Sequence, residues 1–279
     1  MDATSKNPAG HWYGQQGEDF VAALLLGLID PASPNLRLEP APPDAPPVFV
    51  EVGCIDGRRF SNTLAFEQAG WQGLCIEAHP GYIDALRTNR PGSTVVHAAA
   101  GAHDADSIPF YANSRGTLST LDPGLESQFR NNYGRYFTGF ERIDVPLRKI
   151  STMLDDAGLD RIDLLSIDVE GCDAAALSGV DLKRHRPALI VIEIDSDPDA
   201  RSINAQCTDA GYTPICSLSN NHFFIRDEEC DVASRRLSAA PFRVQLTHTA
   251  HPLDDEPDQS RTHKVTPDFL HKPTAKASA

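Results

Sequence analysis

The sequence predicts an α/β fold built on a mostly parallel, doubly wound sheet. Two observations carry that prediction. Short apolar runs alternate with helix-length stretches from residue 48 to residue 227, the pattern of strand–helix–strand units. Three of the runs, at 48–53, 163–168 and 188–194, are almost continuously apolar, as strands covered on both faces must be.

Residues 1–10 carry no pattern, and "QQGEDFVAALLLGL" at 15–28 reads as an amphipathic helix. The stretch 31–47 is rich in proline, which denies both ladder and helix bonds, so it reads as a linker or loop. The strands that follow are expected at 48–53, 73–78, 94–99, 163–168, 188–194, 212–218 and 222–227. Helices are expected at 62–70, 82–90, 150–158 and 200–211, with Gly70, Gly158 and Gly211 as stops. The segment 104–148 breaks the rhythm. "SIPFYA" and "RIDVPLR" in it look like extra strands, and the aromatic stretch between them, with Tyr133, Tyr136, Phe137 and Phe140, reads as a lid or substrate loop. From 231 onward the chain is polar and proline-punctuated, with too little apolar content to pack alone. The expected organisation is therefore an N-terminal helix and linker (1–47), a main α/β domain (48–230) with its insertion at about 104–148, and a mobile tail (231–279).

With 25 basic against 39 acidic residues the formal charge is −14, which repels phosphate backbones and argues against a nucleic-acid partner. The apolar run "FVAALLLGLI" is too short to span a bilayer, and Glu18 and Asp19 stand where a signal peptide needs positive charge. None of the six cysteines forms a CxxC pair, and several fall in apolar strands. They read as small buried hydrophobes in a reducing, cytoplasmic setting rather than as zinc ligands or disulfides. Homo-oligomerisation is left open.

Open α/β sheets bind ligands beyond the carboxyl ends of their strands. In "VFVEVGCIDG", Gly53 and Gly57 let backbone approach a ligand closely. About twenty residues on, Glu77 ends the next strand, where a carboxylate accepts hydrogen bonds from a ribose diol. The glycines do not form the GxGxxG of a dinucleotide binder, so a nucleoside without a pyrophosphate suits them better than a nicotinamide cofactor. Asp168 and Glu170, just past the core of "DLLSIDVEG", fall on the same sheet edge, and Glu193 and Asp195 join that rim. The bland alternative is that these carboxylates cap the helices that follow them.

In order and spacing, "QQGED" (15–19), "FVEVGCIDGRRFSNT" (49–63), "GWQGLCIEAHPGY" (70–82), "DLLSIDVEG" (163–171) and "RPALIVIEI" (186–194) resemble the FkbM-type family of S-adenosylmethionine-dependent methyltransferases. The first motif departs from the family's usual Ala-Asn, with Cys54 and Ile55 in its place. The resemblance implies a class I, Rossmann-like methyltransferase fold: a seven-stranded, mostly parallel sheet with helices on both faces and its last strand antiparallel. It implies that Glu51, Gly53 and Gly57 line the methionine part of S-adenosyl-L-methionine, with Ser61 and Asn62 helping to close that pocket. Glu77 would hold the ribose, Ala98 and Ala99 would flank the adenine, and Asp168 would sit by the amino group and the transferred methyl. Members mostly methylate hydroxyls of sugars, glycolipids and polyketide or glycosylated natural products.

A sugar hydroxyl is a poor nucleophile and needs a base or a cation. Asp168 is the first candidate base. A second version has Asp168, Glu193 and Asp195 hold Mg²⁺ against the acceptor. His79 and His97 read as structural and His222 as a solvated turn residue, while Arg115 and Tyr133 are candidates to touch substrate. The competing class is a binding or scaffold protein that keeps the fold without turnover.

Overall fold

The structure is a computed structural model, described here for residues 11–30, 36–239 and two short strands, 244–247 and 262–265. Helix α1 (Glu18–Leu26) leads to β1 (Val48–Val52), α2 (Leu64–Gln68), β2 (Gln72–Glu77), α3 (Ile83–Asn89) and β3 (Ser93–His97). The chain then leaves the main sheet as β4 (Ala99–Ala100), β5 (Ala105–Ala112), α4 (Glu126–Tyr133) and β6 (Glu141–Arg148). It returns through α5 (Ile150–Ala157), β7 (Leu164–Ile167), α6 (Asp173–Leu177), α7 (Leu182–His185) and β8 (Leu189–Glu193). It continues with α8 (Asp197–Asp209), β9 (Tyr212–Leu218), β10 (Asn221–Arg226) and α9 (Cys230–Ala239). The strands β11 (Val244–Thr247) and β12 (Thr262–Val265) pair antiparallel with each other.

The main sheet has seven strands in the order β3-β2-β1-β7-β8-β10-β9, parallel except for β10, which runs antiparallel to both neighbours. This is the sheet implied by the resemblance. Alternate residues of β1 explain the two layers. Val50 and Val52 point into one core with Met153 and Leu154 of α5, Leu177 of α6 and Ile203 of α8. Phe49 points into the opposite core with α1, Phe66 and Leu86. The five residues of β1 are all buried, as are those of β8, because helices cover both faces.

The segments flanking the sheet pack onto it. Phe20, Leu24 and Leu25 of α1 are buried against the sheet core. The proline-rich stretch, from residue 36 on, packs against that core through Leu36, Leu38 and Ala41, and the Ala41 amide donates to the Ala69 carbonyl at 2.7 Å. The tail expected from 231 begins instead as α9, whose Ala233 is fully buried and whose Arg236 Nη1 donates to the Leu25 carbonyl at 2.6 Å. A narrow stripe of Cys230, Ala233 and Leu237 carries its packing, too little apolar content to stand out in a polar stretch. The tail expectation for 240–243, 248–261 and 266–279 lies outside the described residues.

The insertion forms its own three-stranded sheet, β4-β6-β5, with β5 and β6 antiparallel. Between them α4 and its neighbours bury Leu118, Phe129 and Phe137 in a small aromatic cluster that Tyr133 and Phe140 flank. Among the described residues no helix is long and apolar enough to cross a membrane.

Candidate functional site

The carboxyl ends of β1, β2 and β7, closed over by the insertion, surround a cavity with about 880 Å³ of free space, its open mouth included. Gly53 ends β1 at a φ of 88°. A Cβ there would stand 1.9 Å from the carbonyl oxygen of Asp168, so only glycine lets the ends of β1 and β7 come this close.

Glu51, Gly53, Asn62, Glu77, Ala98, Ala99 and Asp168 all line the cavity. Gly57 and Ser61 do not; both face a buried ion cluster behind it. A Cβ on Gly57 would meet Cγ of Arg90 at 2.5 Å. Ser61 Oγ donates to Glu51 Oε2 at 3.0 Å, and Arg90 Nη1 donates to both at 3.1 and 2.9 Å. The Glu51 carboxylate also accepts from Thr63 Oγ1 at 2.8 Å and from the Asn62 amide at 2.7 Å. Arg90, with no exposed surface, completes the cluster by donating to Glu67 at 2.7 Å. Glu51 therefore holds the Ser61–Thr63 turn in place.

That turn presents Asn62. Its Nδ2 donates to Ser166 Oγ at 3.1 Å, while its Oδ1 is buried without a partner. Ser166, also on the cavity wall, escaped the sequence reading; its signal was a lone polar residue inside the apolar run of β7. Arg90 escaped it too, and nothing in "TNRPG" distinguishes it from a solvated helix end.

Glu77, at the end of β2, accepts from the Ile55 amide at 2.7 Å through Oε2 and from the His79 amide at 2.6 Å through Oε1. Burial pushes its pKa up to about 7, against the pull of those amides. Beyond it, Ala98, Ala99, Ala100 and Phe110 form an apolar slot, closed by Gly116, Thr117, Ser119 and Leu121 of the insertion. Thr117 Oγ1 is buried there with no partner. His79 and His97 are tied up beside this slot. His79 Nδ1 accepts from the Gly81 amide at 3.1 Å, and Nε2 of His97 lies 3.1 Å from the Ala78 carbonyl. His222 stands in β10 opposite Ile192 rather than in a turn.

On the other side, the loop after β7 is fixed from within. Asp173 accepts from the amides of Val169 and Gly171 at 3.0 and 3.1 Å. Thr120 Oγ1, from the insertion, donates to the Glu170 carbonyl at 2.8 Å. Glu170 holds a φ of 55°, strained for a residue with a side chain. The insertion is thus docked on the loop that carries Asp168 and Glu170.

Asp168 is raised to about 6, by burial first; the neighbouring Glu193 carboxyl pulls it back, and the charges of Asp195 and Glu51 push it further up. Burial and the charges of Asp168 and Glu170 hold Glu193 up at about 12, so it keeps its proton at neutral pH. The expected magnesium set was Asp168, Glu193 and Asp195. The three whose carboxylate oxygens all lie within 4.8 Å of one another are Glu170, Glu193 and Asp195. Asn220 Nδ2 bridges two of them, donating to Glu193 Oε1 at 2.5 Å and to Asp195 Oδ1 at 2.8 Å. Arg115 stacks 5.4 Å from the Tyr136 ring, and Tyr133 packs 5.8 Å from Phe129.

Residues 51–230 match the profile of the methyltransferase FkbM domain. Among solved structures the chain is similar to precorrin-6y C5,15-methyltransferase from Geobacter metallireducens, at 13% identity over 78% of this chain and 91% of that one, with a TM-score of 0.39. It is similar to a TehB-like SAM-dependent methyltransferase from Corynebacterium glutamicum, at 12% identity over 74% and 84%, with a TM-score of 0.35. It is also similar to Aeropyrum pernix fibrillarin in complex with natively bound S-adenosyl-L-methionine, at 14% identity over 75% of each chain, with a TM-score of 0.34. At these identities and scores the likeness carries no argument about the site. A comparison with curated proteins returned no match.

Proposed function

The chain belongs to the family of methyltransferase FkbM domains, and from that premise we propose that its cavity holds S-adenosyl-L-methionine and directs the methyl group to a hydroxyl oxygen of a sugar, glycolipid, or glycosylated or polyketide natural product. One observation carries the reading: Glu77 and Asp168, on the strands either side of β1, both line one cavity.

The residues suit the cofactor. Glu77, held by two amides, keeps lone pairs for a ribose diol. The unpartnered Asn62 Oδ1 is an acceptor waiting for the methionine ammonium. Gly53 removes the Cβ that would fill the space between β1 and β7. The wall of Ala98, Ala99 and Phe110 is apolar, as suits an adenine ring. When bound, the cofactor supplies an electrophilic methyl on a cationic sulfur.

The chain aligns the acceptor and takes its proton. Asp168, with a pKa near 6, is ionised at neutral pH yet more basic than an ordinary aspartate, which suits a general base for a hydroxyl. Glu193, protonated beside it, spares Asp168 a second adjacent negative charge. Calorimetric titration with S-adenosylmethionine and S-adenosylhomocysteine, wild type beside Glu77→Ala, tests the cofactor half. Micromolar binding lost in the variant is the expected result, and no binding by the wild type would sink the reading. A non-catalytic binding protein would bind the cofactor and leave every hydroxyl acceptor unmethylated.

A further inference from the structure

The stretch 113–121 of the insertion runs along the cavity as a strap and is anchored on two flanks. On one, the Tyr82 hydroxyl, just past β2, donates to the Ser114 carbonyl at 3.3 Å. A Cβ on Gly116, at a φ of 80°, would stand 2.4 Å from the Tyr82 ring, so a glycine is needed for the strap to lie this close. On the other flank, Thr120 holds the loop after β7 through the Glu170 carbonyl. Asn113 braces the base of the strap. Its amide donates to Ser119 Oγ at 2.9 Å, and its Oδ1 accepts from the Arg115 amide at 3.0 Å.

Thr117 stands between the two anchors. Gly116 before it lies against Tyr82, and Leu118 after it is buried with Phe129 and Phe137. Both neighbours are thus tied to other parts of the protein, while Thr117 itself lines the cavity. Its Oγ1 is buried with no hydrogen-bond partner among the described residues. Buried hydroxyls normally find a partner, and one left open on a cavity wall calls for a ligand to match it. Asn62 Oδ1 is the other unpartnered oxygen on this wall, and it comes from a different element, the turn after β1.

We propose that Thr117 Oγ1 accepts a hydrogen bond from the exocyclic amine of the cofactor's adenine, so that the insertion helps to read the base. The inference rests on the S-adenosylmethionine reading of the cavity. Position favours the nucleoside over the methyl acceptor. Thr117 follows the residue packed on Tyr82, beyond the end of β2 that carries Glu77, whereas the loop of Asp168 and Glu170 is met by Thr120 on the far flank. Chemistry favours the amine. The side chains of Ala98, Ala99 and Phe110 can cover the ring but offer it no acceptor. The amine is the donor group of the adenine edge, and a threonine hydroxyl keeps lone pairs to receive it.

The test titrates the full chain with S-adenosylhomocysteine beside its deamino analogue, the purine riboside with hydrogen in place of the exocyclic amine. The wild type should prefer S-adenosylhomocysteine by roughly ten-fold. Thr117→Val should abolish that preference, by weakening S-adenosylhomocysteine and leaving the analogue unchanged, and Thr117→Ser should restore it. Thr117→Ala repeats the measurement if valine disturbs the strap. A merely structural role would weaken both ligands alike and leave their ratio intact, which overturns the proposal. So does a wild type that binds the two equally, or a Thr117→Val variant of wild-type affinity, the result expected if the hydroxyl faces the methyl acceptor. All three leave the cofactor reading standing. Failure of S-adenosylhomocysteine to bind the wild type sinks that reading, and this inference with it.

Discussion

Arg90 Nη1 meets Glu51 Oε2 at 2.9 Å, with neither side chain more than 5% exposed. The pair stands behind the cavity, and the turn that presents Asn62 hangs from it. Coulomb attraction from the buried anions around it holds the Arg90 guanidinium well above its ordinary range, outweighing its own desolvation. Removing one partner leaves an uncompensated buried charge. Arg90→Met should therefore cost about 3–5 kcal/mol of stability, read as a fall in the urea midpoint. In whatever fraction folds, S-adenosylhomocysteine should bind more weakly, because Asn62 loses its support. Unchanged stability would mean that the cluster is not the anchor of the turn.

Gly53→Ala tests the close approach of β1 and β7. The added Cβ meets the Asp168 carbonyl at 1.9 Å in a backbone with φ of 88°. Relief requires the end of one strand to move, and Asp168 moves with it. A loss of more than about 2 kcal/mol is expected, measured by thermal and chemical unfolding, together with a large drop in kcat. A variant of wild-type stability and activity would show that the strand ends tolerate separation.

Asp168 as base makes a pH–rate prediction. The group works when deprotonated, and its pKa is about 6. kcat/KM should rise through pH 6 and level off above pH 7 on this limb. Asp168→Asn should lower kcat by about 10²–10⁴-fold. A flat profile between pH 5 and 8 would remove Asp168 from the role of base.

Stability should have its own pH dependence. Burial raises Glu18, Asp19 and Glu77 in the folded protein to about 7. Between their ordinary values near 4 and this raised value the folded state binds more protons than the unfolded one. Their contribution is thus present at the acid end and lost as pH rises through about 7. Unfolding free energy should fall from pH 5 to pH 7.5, and Glu18→Gln should flatten the slope. A steeper slope in the variant, or rising stability over that range in the parent, would contradict these assignments.

How much was legible in the sequence follows from what each residue touches. The sheet was legible because β1, β7 and β8 are buried on both faces and leave unbroken apolar runs. Glu77 and Asp168 were legible because a carboxylate ending an apolar strand is an unusual place for a charge. Gly57 and Ser61 were assigned to the cofactor because their spacing cannot reveal that Arg90, far along the chain, sits behind them. Helix α4 hid in a polar stretch because only Phe129 of its residues is buried. Glu170 rather than Asp168 joins Glu193 and Asp195, and it does so from a loop residue of positive φ, a conformation that no strand pattern encodes.

The insertion is stitched twice. Its outer ends join where the Gly101 amide donates to the Arg148 carbonyl at 3.1 Å. Within it, Tyr111 and Thr120 exchange backbone hydrogen bonds of 2.9 and 3.1 Å. The inner loop, 112–119, supplies Gly116, Thr117 and Ser119 to the cavity wall. Past Thr120, Leu121 still lines the cavity, and Leu125 then lies against Gly171 in the loop after β7. The two spans share one small core, since Leu118 of the inner loop packs with Phe129 and Phe137 and Asn113 Nδ2 donates to the Gly139 carbonyl at 3.0 Å, so a change of shape in 122–140 is passed on to the cavity wall.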